Sequence, residues 1–577
     1  MTTIQGKSSN TGFPSVDKPW LKHYSEEVIK GKLPECSIYE YMYENNKNYP
    51  HDTAISYFGK RISYRRLFES IDKTASALQA LGVKEGEIVT VALPSIPEAL
   101  YIVYALNKIG AVANMIHPLA GENEIIHYLN EVESKVAFLF DGTYRIIKSS
   151  IGKTSLKKGI VVTVGDSLPT GLKLLYSLKA RSVIVDDSIS TWKRFLAKGK
   201  GITVSTGKKD SSKMAIISHT GGTTGEPKGV MLSDDSINAM IWQIGKLLSV
   251  VRQESQLAVL PPFVNYSLVN AMLEPIGLGN TSILIPDYKP ELFAQYAKKY
   301  KPTYISSIPA YWEAILKIKN IEKTDLSFLR CPFYGGEAMN SVNEEAVNQL
   351  LHKCGAPNGL AKGLGATELV SAATLTPYDF NTIGSVGIPL PKINCKLALP
   401  DMEEASYGNT GEICFSGPTV MMGYYNKEKD TSDIIKKHPD GQRWLHTGDL
   451  GYMNENGVLF VTGRVKRIFM TKGRDKQITK VFPDRVEKAI CSNSNVELCC
   501  VVGVPDEERI NYPKAFVVLK QKEPSDEIEK NIMDICKENL PEYMVPEEIE
   551  FRKDFPRTER GKVDYRALER MTKDDKG

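Results

Sequence analysis

The stretch from Met214 to Val230 constrains this chain more than any other. A short β-type run, Met214 to Ile217, leads into Ser218-His219-Thr220-Gly221-Gly222-Thr223-Thr224-Gly225-Glu226-Pro227-Lys228-Gly229-Val230. Glycines let the backbone curl until successive N–H groups point into one concavity, which is an anion-binding nest. The threonine hydroxyls add donors, and Lys228 adds a point charge suited to phosphate. The alternative, a flexible Gly/Ser linker, does not account for the rigid Pro-Lys-Gly ending or the apolar run after it. A kinase-type phosphate loop is excluded, because it ends in Gly-Lys-Ser/Thr, whereas Pro227 precedes Lys228 and Gly229 follows it.

The surrounding sequence alternates helix and strand signals. Ser63 is placed to cap a helix with Leu67, Ile71, Leu78 and Leu81 on one face, ended by Gly82. Ile88 to Leu93 reads as a buried strand, and Pro97 starts a helix stopped by Gly110. Strands at Ala113 to Ile116 and Val136 to Phe140 flank a helix near Glu122 to Val132. This order predicts a parallel sheet with helices on both faces. After the loop, Asp235 or Ser236 is the expected cap of the next helix, and residues 1 to about 35 read as surface wrapping. At 577 residues the chain accommodates a large core with a smaller partner. Nine scattered cysteines without a CxxC pair, and an N-terminus without an apolar core, point to reduced thiols and a cytoplasmic setting. A net charge of +4 gives no nucleic-acid field, and the most apolar region, Ile88 to Leu119, is interrupted by Pro94, Pro97, Glu98 and Lys108, so no transmembrane segment is expected. Residues 152 to 200 set lysines around Leu174, Leu175 and Leu178. A solvated surface helix is the preferred reading there, and weak peripheral membrane contact is the alternative. Nothing in the sequence fixes an oligomeric state.

Thr220 to Gly229 resembles the phosphate-binding loop of the adenylate-forming superfamily, the acyl-CoA synthetases, luciferases and peptide-synthetase adenylation domains. Gly221 stands where a serine is common. Four further stretches follow in the superfamily's order. Tyr334-Gly335-Gly336-Glu337 resembles its adenine loop. Leu364-Gly365-Ala366-Thr367-Glu368 resembles its Tyr-Gly-x-Thr-Glu element, with Leu364 in place of tyrosine. Trp444 to Asp449 resembles its Thr-Gly-Asp ribose element, and Gly463-Arg464-Val465-Lys466 its interdomain joint. Near the end, Pro556 to Asp564 resembles the element carrying its catalytic lysine, here Lys562.

The resemblance implies an α/β fold: a large multi-layer N-terminal domain (1–463) with parallel sheets flanked by helices, a hinge (464–466) and a small α+β C-terminal domain (467–577). It implies that Thr220, Gly221, Gly222, Thr223, Thr224 and Lys228 hold ATP phosphates. Gly335, Gly336, Glu337, Leu364 and Gly365 would face the base, with Asp449 and Arg464 at the ribose. Thr367, Glu368 and Lys562 are the implied catalytic set, with Glu368 on Mg²⁺, and Lys466 is the implied pivot. Lys472-Gly473, inside a segment longer than usual (471–483), is the expected side of the CoA tunnel. Pro261 to Leu268 resembles the acyl-pocket stretch of acyl-CoA synthetases. There Val264 replaces a frequent histidine and no aspartate stands ready for an α-ammonium. Phe263, Val264 and Tyr266 therefore favour an uncharged, hydrophobic acid, fatty or aryl. The expected reaction uses ATP, Mg²⁺ and CoA. A separate carrier protein is the alternative acceptor of the acyl group.

Overall fold

The computed structural model describes residues 11–178, 185–206, 210–220, 227–377, 380–472, 478–506, 508–520, 523–557 and 563–574. Two large sheets organise the N-terminal part. One has eight strands, with Val112–Met115, Ile88–Ala92, Val136–Phe140, Lys158–Val162 and Ile189–Thr191 running parallel beside Met214–His219. Its far edge departs from the predicted parallel order: Gly229–Ser233 turns back antiparallel to Met214–His219, and Gly423–Tyr424 pairs antiparallel with that strand in turn. The nine residues between His219 and Gly229 are too few for a crossover helix, so the chain reverses. The second sheet has seven strands, mostly parallel, and includes Ser255–Ala258, Tyr304–Ser307, Cys331–Tyr334 and Ala361–Lys362.

Helix Tyr64–Ala80 is capped by Ser63 as expected, and Pro97–Lys108 is buried along nearly its whole circumference, in the core that both sheets share. Helix Asp234–Leu247 begins earlier than predicted. Ser233 caps it by accepting the Ser236 N–H, because Asp234 is already helical and its carboxylate is used by Asn107 and the Ile38 N–H. The N-terminal residues also correct the surface reading. Residues 14–30 form short helices, and Trp20 lies fully buried in the main core.

A five-stranded antiparallel sheet contains Gly411–Ser416, Arg443–Met453 and Leu459–Arg464. Beyond it, Val496–Asp506, Ile510–Leu519 and Glu548–Arg552 form a three-stranded sheet packed on helices Pro483–Cys491 and Asp526–Asn539. The two apolar clusters of this C-terminal part contain no residue before Phe469, so it has a core of its own. No helix among the described residues is long and apolar enough to cross a membrane.

Candidate active site

The base of the glycine-rich loop is closed by a reciprocal pair of bonds. The Thr220 N–H donates to the Lys228 carbonyl at 2.9 Å, and the Lys228 N–H donates to the Thr220 hydroxyl at 3.1 Å. Gly221, Gly222, Thr223 and Thr224 lie outside the described residues. Lys228 leaves the loop with its ammonium bonded to the Asp430 carboxylate and 4.9 Å from the centre of the Tyr424 ring. The Tyr424 hydroxyl donates to Glu368 Oε1 at 2.7 Å. Lys228, at the foot of the glycine-rich loop, and the Thr-Glu turn are thereby joined through Tyr424, a residue to which the sequence reading gave no role. The bond from Lys228 holds the Asp430 carboxyl below its ordinary range. Burial first, then the Glu368 charge, keeps the Tyr424 hydroxyl protonated.

Thr367 and Glu368 occupy a single 3-10 turn, and the Glu368 carbonyl accepts the Met421 N–H at 2.9 Å. The turn ends at Val370 with φ of 65°, a region a β-branched residue rarely enters. Asn265 holds it there. Its amide donates to the Val370 carbonyl, and its Oδ1 accepts from the Ser218 hydroxyl at 2.9 Å, on the strand that enters the loop. Strain over-determined by its surroundings is common at functional sites.

On the second sheet, the parallel pairing of Cys331–Tyr334 with Ala361–Lys362 sets Gly335-Gly336 beside Gly363 to Gly365 at the carboxyl ends of the strands. Ligands of open α/β sheets bind at such ends. The Gly335 N–H donates to the Ser307 carbonyl at 3.1 Å, Gly336 takes a φ of 86°, and Glu337 is exposed. A Cβ on Gly365 would collide with the Ser371 carbonyl, so only glycine fits. Leu364 is half-buried against the core and donates its N–H to the Thr374 hydroxyl at 2.9 Å.

Asp449 and Arg464 form a second group. They face each other across two antiparallel strands, and Arg464 Nε lies 2.7 Å from Asp449 Oδ1. Glu412 braces the turn before Asp449. It accepts from the Gly448 N–H at 3.0 Å and meets His446 Nδ1 at 2.7 Å. Burial alone would raise the Glu412 carboxyl, but the bond and charge of His446 bring it below its ordinary range. The dipeptide Gly411-Glu412 gave no signal by itself, since its role depends on a strand partner 34 residues away.

Lys466 lies in the 3-10 turn Val465–Arg467 that follows, and its side chain is outside the described residues, as are Gly473 and Lys562. Lys472 ends the strand Phe469–Lys472, which pairs antiparallel with Ile478–Val481 within the segment 471–483. The Lys472 N–H donates to the Arg509 carbonyl at 2.8 Å. The segment containing Lys562 is framed by an antiparallel bridge between Arg557 and Val563. Of the residues the sequence assigns to an acyl pocket, Phe263 is buried with its ring 4.3 Å from His117, and Val264 is half-buried. The Tyr266 ring is 5.8 Å from Phe333, and its hydroxyl donates to the Ser307 carbonyl at 3.2 Å. The helix they enter runs as a π-helix over Leu268–Leu273, an irregularity frequent at functional sites.

This arrangement coincides with the family comparisons. Residues 42–425 match the AMP-binding enzyme family and residues 485–562 match the AMP-binding enzyme C-terminal domain. The chain belongs to that family, the adenylate-forming enzymes. It is 30% identical over 565 residues to a long-chain-fatty-acid–CoA ligase of Bacillus subtilis, covering 96% of this chain and 97% of the relative. It is also 30% identical over 489 residues to a probable 4-coumarate–CoA ligase of Dictyostelium discoideum, covering 84% and 85%. Among solved structures, an ATP-bound enzyme from Rhodopseudomonas palustris superposes with a TM-score of 0.80 at 22% identity, covering 93% of this chain and all (100%) of that one. An anthranilate–CoA ligase with bound anthranoyl-AMP gives 0.78 at 22% identity, covering 94% and 98%. At these identities the structural likeness carries the fold alone.

Proposed function

We propose that this chain is an AMP-forming acid–thiol ligase that activates a hydrophobic carboxylic acid, fatty or aryl, and passes the acyl group to CoA. The contact path Lys228–Tyr424–Glu368 supports the reading most directly, because it gathers a cation, a hydroxyl and a carboxylate at the foot of the glycine-rich loop. A carboxylate is a poor electrophile, since its charge repels nucleophiles. Attack of its oxygen on the α-phosphorus of ATP forms an acyl–AMP anhydride and expels pyrophosphate. The CoA thiol then adds to the acyl carbon, AMP leaves with the bonding pair, and the thiol proton is lost to solvent. Two anions meet in the first step, so positioning and positive charge dominate.

In this reading Thr220 to Thr224 and Lys228 hold the outer phosphates. Gly335 to Glu337, Leu364 and Gly365 flank the base, and Asp449 with Arg464 meets the ribose. The Tyr424 bond engages one oxygen of Glu368, and the other is a hard donor that suits Mg²⁺. Mg²⁺ would neutralise phosphate charge there. Lys562 would bridge the acid and the α-phosphate, and Phe263, Val264 and Tyr266 would meet the acid. Residues 464–466 would be the pivot between an N-terminal domain, 1–463, and a C-terminal domain, 467–577, with Lys472-Gly473 beside the CoA path. The separate apolar cores support that division.

ATP–pyrophosphate exchange tests the acid. Fatty and aryl acids should stimulate it, and an α-amino acid giving the best exchange would overturn the pocket reading. Thioester formation with CoA alone separates CoA from a carrier protein as the acceptor. Glu368→Gln should cut exchange by roughly 10²-fold or more for all acids alike. A loss confined to one acid would move Glu368 into the acyl pocket.

A further inference from the structure

We propose that Asp430 is a counter-ion latch for Lys228. It holds the ammonium while the site is empty, yields it to the outer phosphates of ATP, and takes it back as pyrophosphate leaves. The proposal rests on the reading of Lys228 as a phosphate ligand. The Lys228 ammonium is bonded to the Asp430 carboxylate and stands 4.9 Å from the centre of the Tyr424 ring. Of the lysines whose charge Asp430 feels, Lys228, Lys427 and Lys429, only Lys228 is bonded to it among the described residues. The two side chains of the pair are 33% and 39% exposed, so an incoming anion reaches the bond from solvent.

The backbone on both sides of the pair is fixed. Lys228 exchanges two bonds with Thr220, and the carbonyl of the next residue, Gly229, accepts the Tyr425 N–H at 2.8 Å. Asp430 lies on the short helix Glu428–Ile434. Its neighbour Thr431 accepts the Tyr424 N–H at 2.8 Å and donates its hydroxyl to the Lys427 carbonyl at 2.9 Å. Helix and strand Gly423–Tyr424 are thereby stapled into one piece, and that strand pairs with Gly229–Ser233. What is left to change partners is the ammonium, a compact charge on a flexible four-carbon stem.

Charge sets the direction of the effect. Paired with a carboxylate, the ammonium offers an approaching phosphate little net attraction, so phosphate has to displace Asp430 or share with it. A partly exposed ion pair contributes little net stability, and a polyphosphate held also through its base and ribose displaces it readily. Pyrophosphate, once cut from the nucleotide, loses those other holds, and the carboxylate competes with it on better terms. The latch therefore weakens the grip on ATP slightly and speeds the departure of pyrophosphate. A carboxylate that merely propped the lysine in place would act in the opposite sense, since its removal would weaken the binding of ATP.

The test is titration calorimetry of the full-length chain with Mg²⁺ and, in turn, ATP, pyrophosphate and AMP, with no acid present. Asp430→Asn keeps the shape and removes the charge. It should bind ATP and pyrophosphate roughly threefold to fivefold more tightly and AMP unchanged, because AMP lacks the outer phosphates. Asp430→Glu should restore the parental values, and both variants should melt like the parent. In a Lys228→Ala background, Asp430→Asn should have no effect, which separates action through the lysine from the general loss of a negative charge. Steady-state assays should show stronger inhibition of Asp430→Asn by pyrophosphate, with an unchanged KM for the acid. Unchanged or weaker ATP binding by Asp430→Asn overturns the proposal. So does an equal gain for AMP, or the same gain in the Lys228→Ala background. A parent chain that binds no ATP brings down the functional reading itself, whereas ATP binding that ignores Asp430 removes the latch alone.

Discussion

Glu98 is a carboxylic acid where none is expected, fully buried at the start of helix Pro97–Lys108. Its Oε1 accepts from the Ser167 hydroxyl at 2.5 Å, and Oε2 has no hydrogen-bond partner among the described residues. Burial pushes its pKa up from 4.5 to about 7. Between those values the folded chain binds a proton that the unfolded chain has released, so stability falls as pH rises across that window and is flat above it. Glu98→Gln keeps the acceptor and removes the titration. It should raise stability by roughly 1–3 kcal/mol at pH 8 and little at pH 4, read from denaturation midpoints at each pH. An equal gain at both pH values would assign the effect to packing. At this scale the sequence offers candidates where residue types stand in a fixed local order, as at Lys228 and Glu368. Tyr424 and Asp430 escaped, because Asp430 meets Lys228 from 202 positions away and Tyr424 meets Glu368 from 56. Their significance comes from side-chain contacts between distant segments, which no local pattern contains.

Elements were legible wherever periodicity, a cap and a stop agreed, as in Tyr64–Ala80, capped by Ser63. They were misread where polar residues crowd a helix start, so that Ser233 caps in place of the expected Asp235 or Ser236, and where the chain reverses within a sheet, as at Gly229–Ser233. The most consequential element is the short turn Val465–Arg467. At its end Arg467 is clasped by Asp484 at 2.9 Å and by Glu487 at 2.5 Å, and just before it Arg464 holds Asp449. The turn thus connects two firmly held ends. If the C-terminal part rotates about it between half-reactions, Lys562→Ala should abolish adenylation while supplied acyl-adenylate is still converted to acyl-CoA, because that anhydride already exists. Lys466→Pro should do the reverse, since a fixed φ at the pivot hinders rotation. Pyrophosphate exchange and thioester formation from synthetic adenylate measure the two steps separately. Equal damage to both steps in both variants would exclude alternation.

Over the whole molecule, the division into a large α/β part and a small α+β part followed from length and motif order, whereas the seat of the N-terminus did not. Ser15 donates its N–H to Glu404 at 2.7 Å, the Tyr24 hydroxyl donates to the Pro389 carbonyl at 2.6 Å, and Gly457 lies against the Trp20 backbone, with no room there for a Cβ. Such pairings leave no trace in a polar, weakly periodic segment. Trp20→Ala should cost about 3–5 kcal/mol, as large-to-small changes in a packed core do, and should lower the melting temperature by several degrees. An unchanged melt would mean that the segment is not integral to the core. The pairing also sets a schedule for synthesis. Ser15 and Glu404 are 389 positions apart, and translation proceeds at about 5–20 residues per second. The segment that carries Ser15 therefore spends roughly 20 to 80 s without its partner. For that interval the nascent chain carries an uncovered tryptophan, a natural target for holding chaperones, and the core around it cannot close until the stretch with Glu404 has been made.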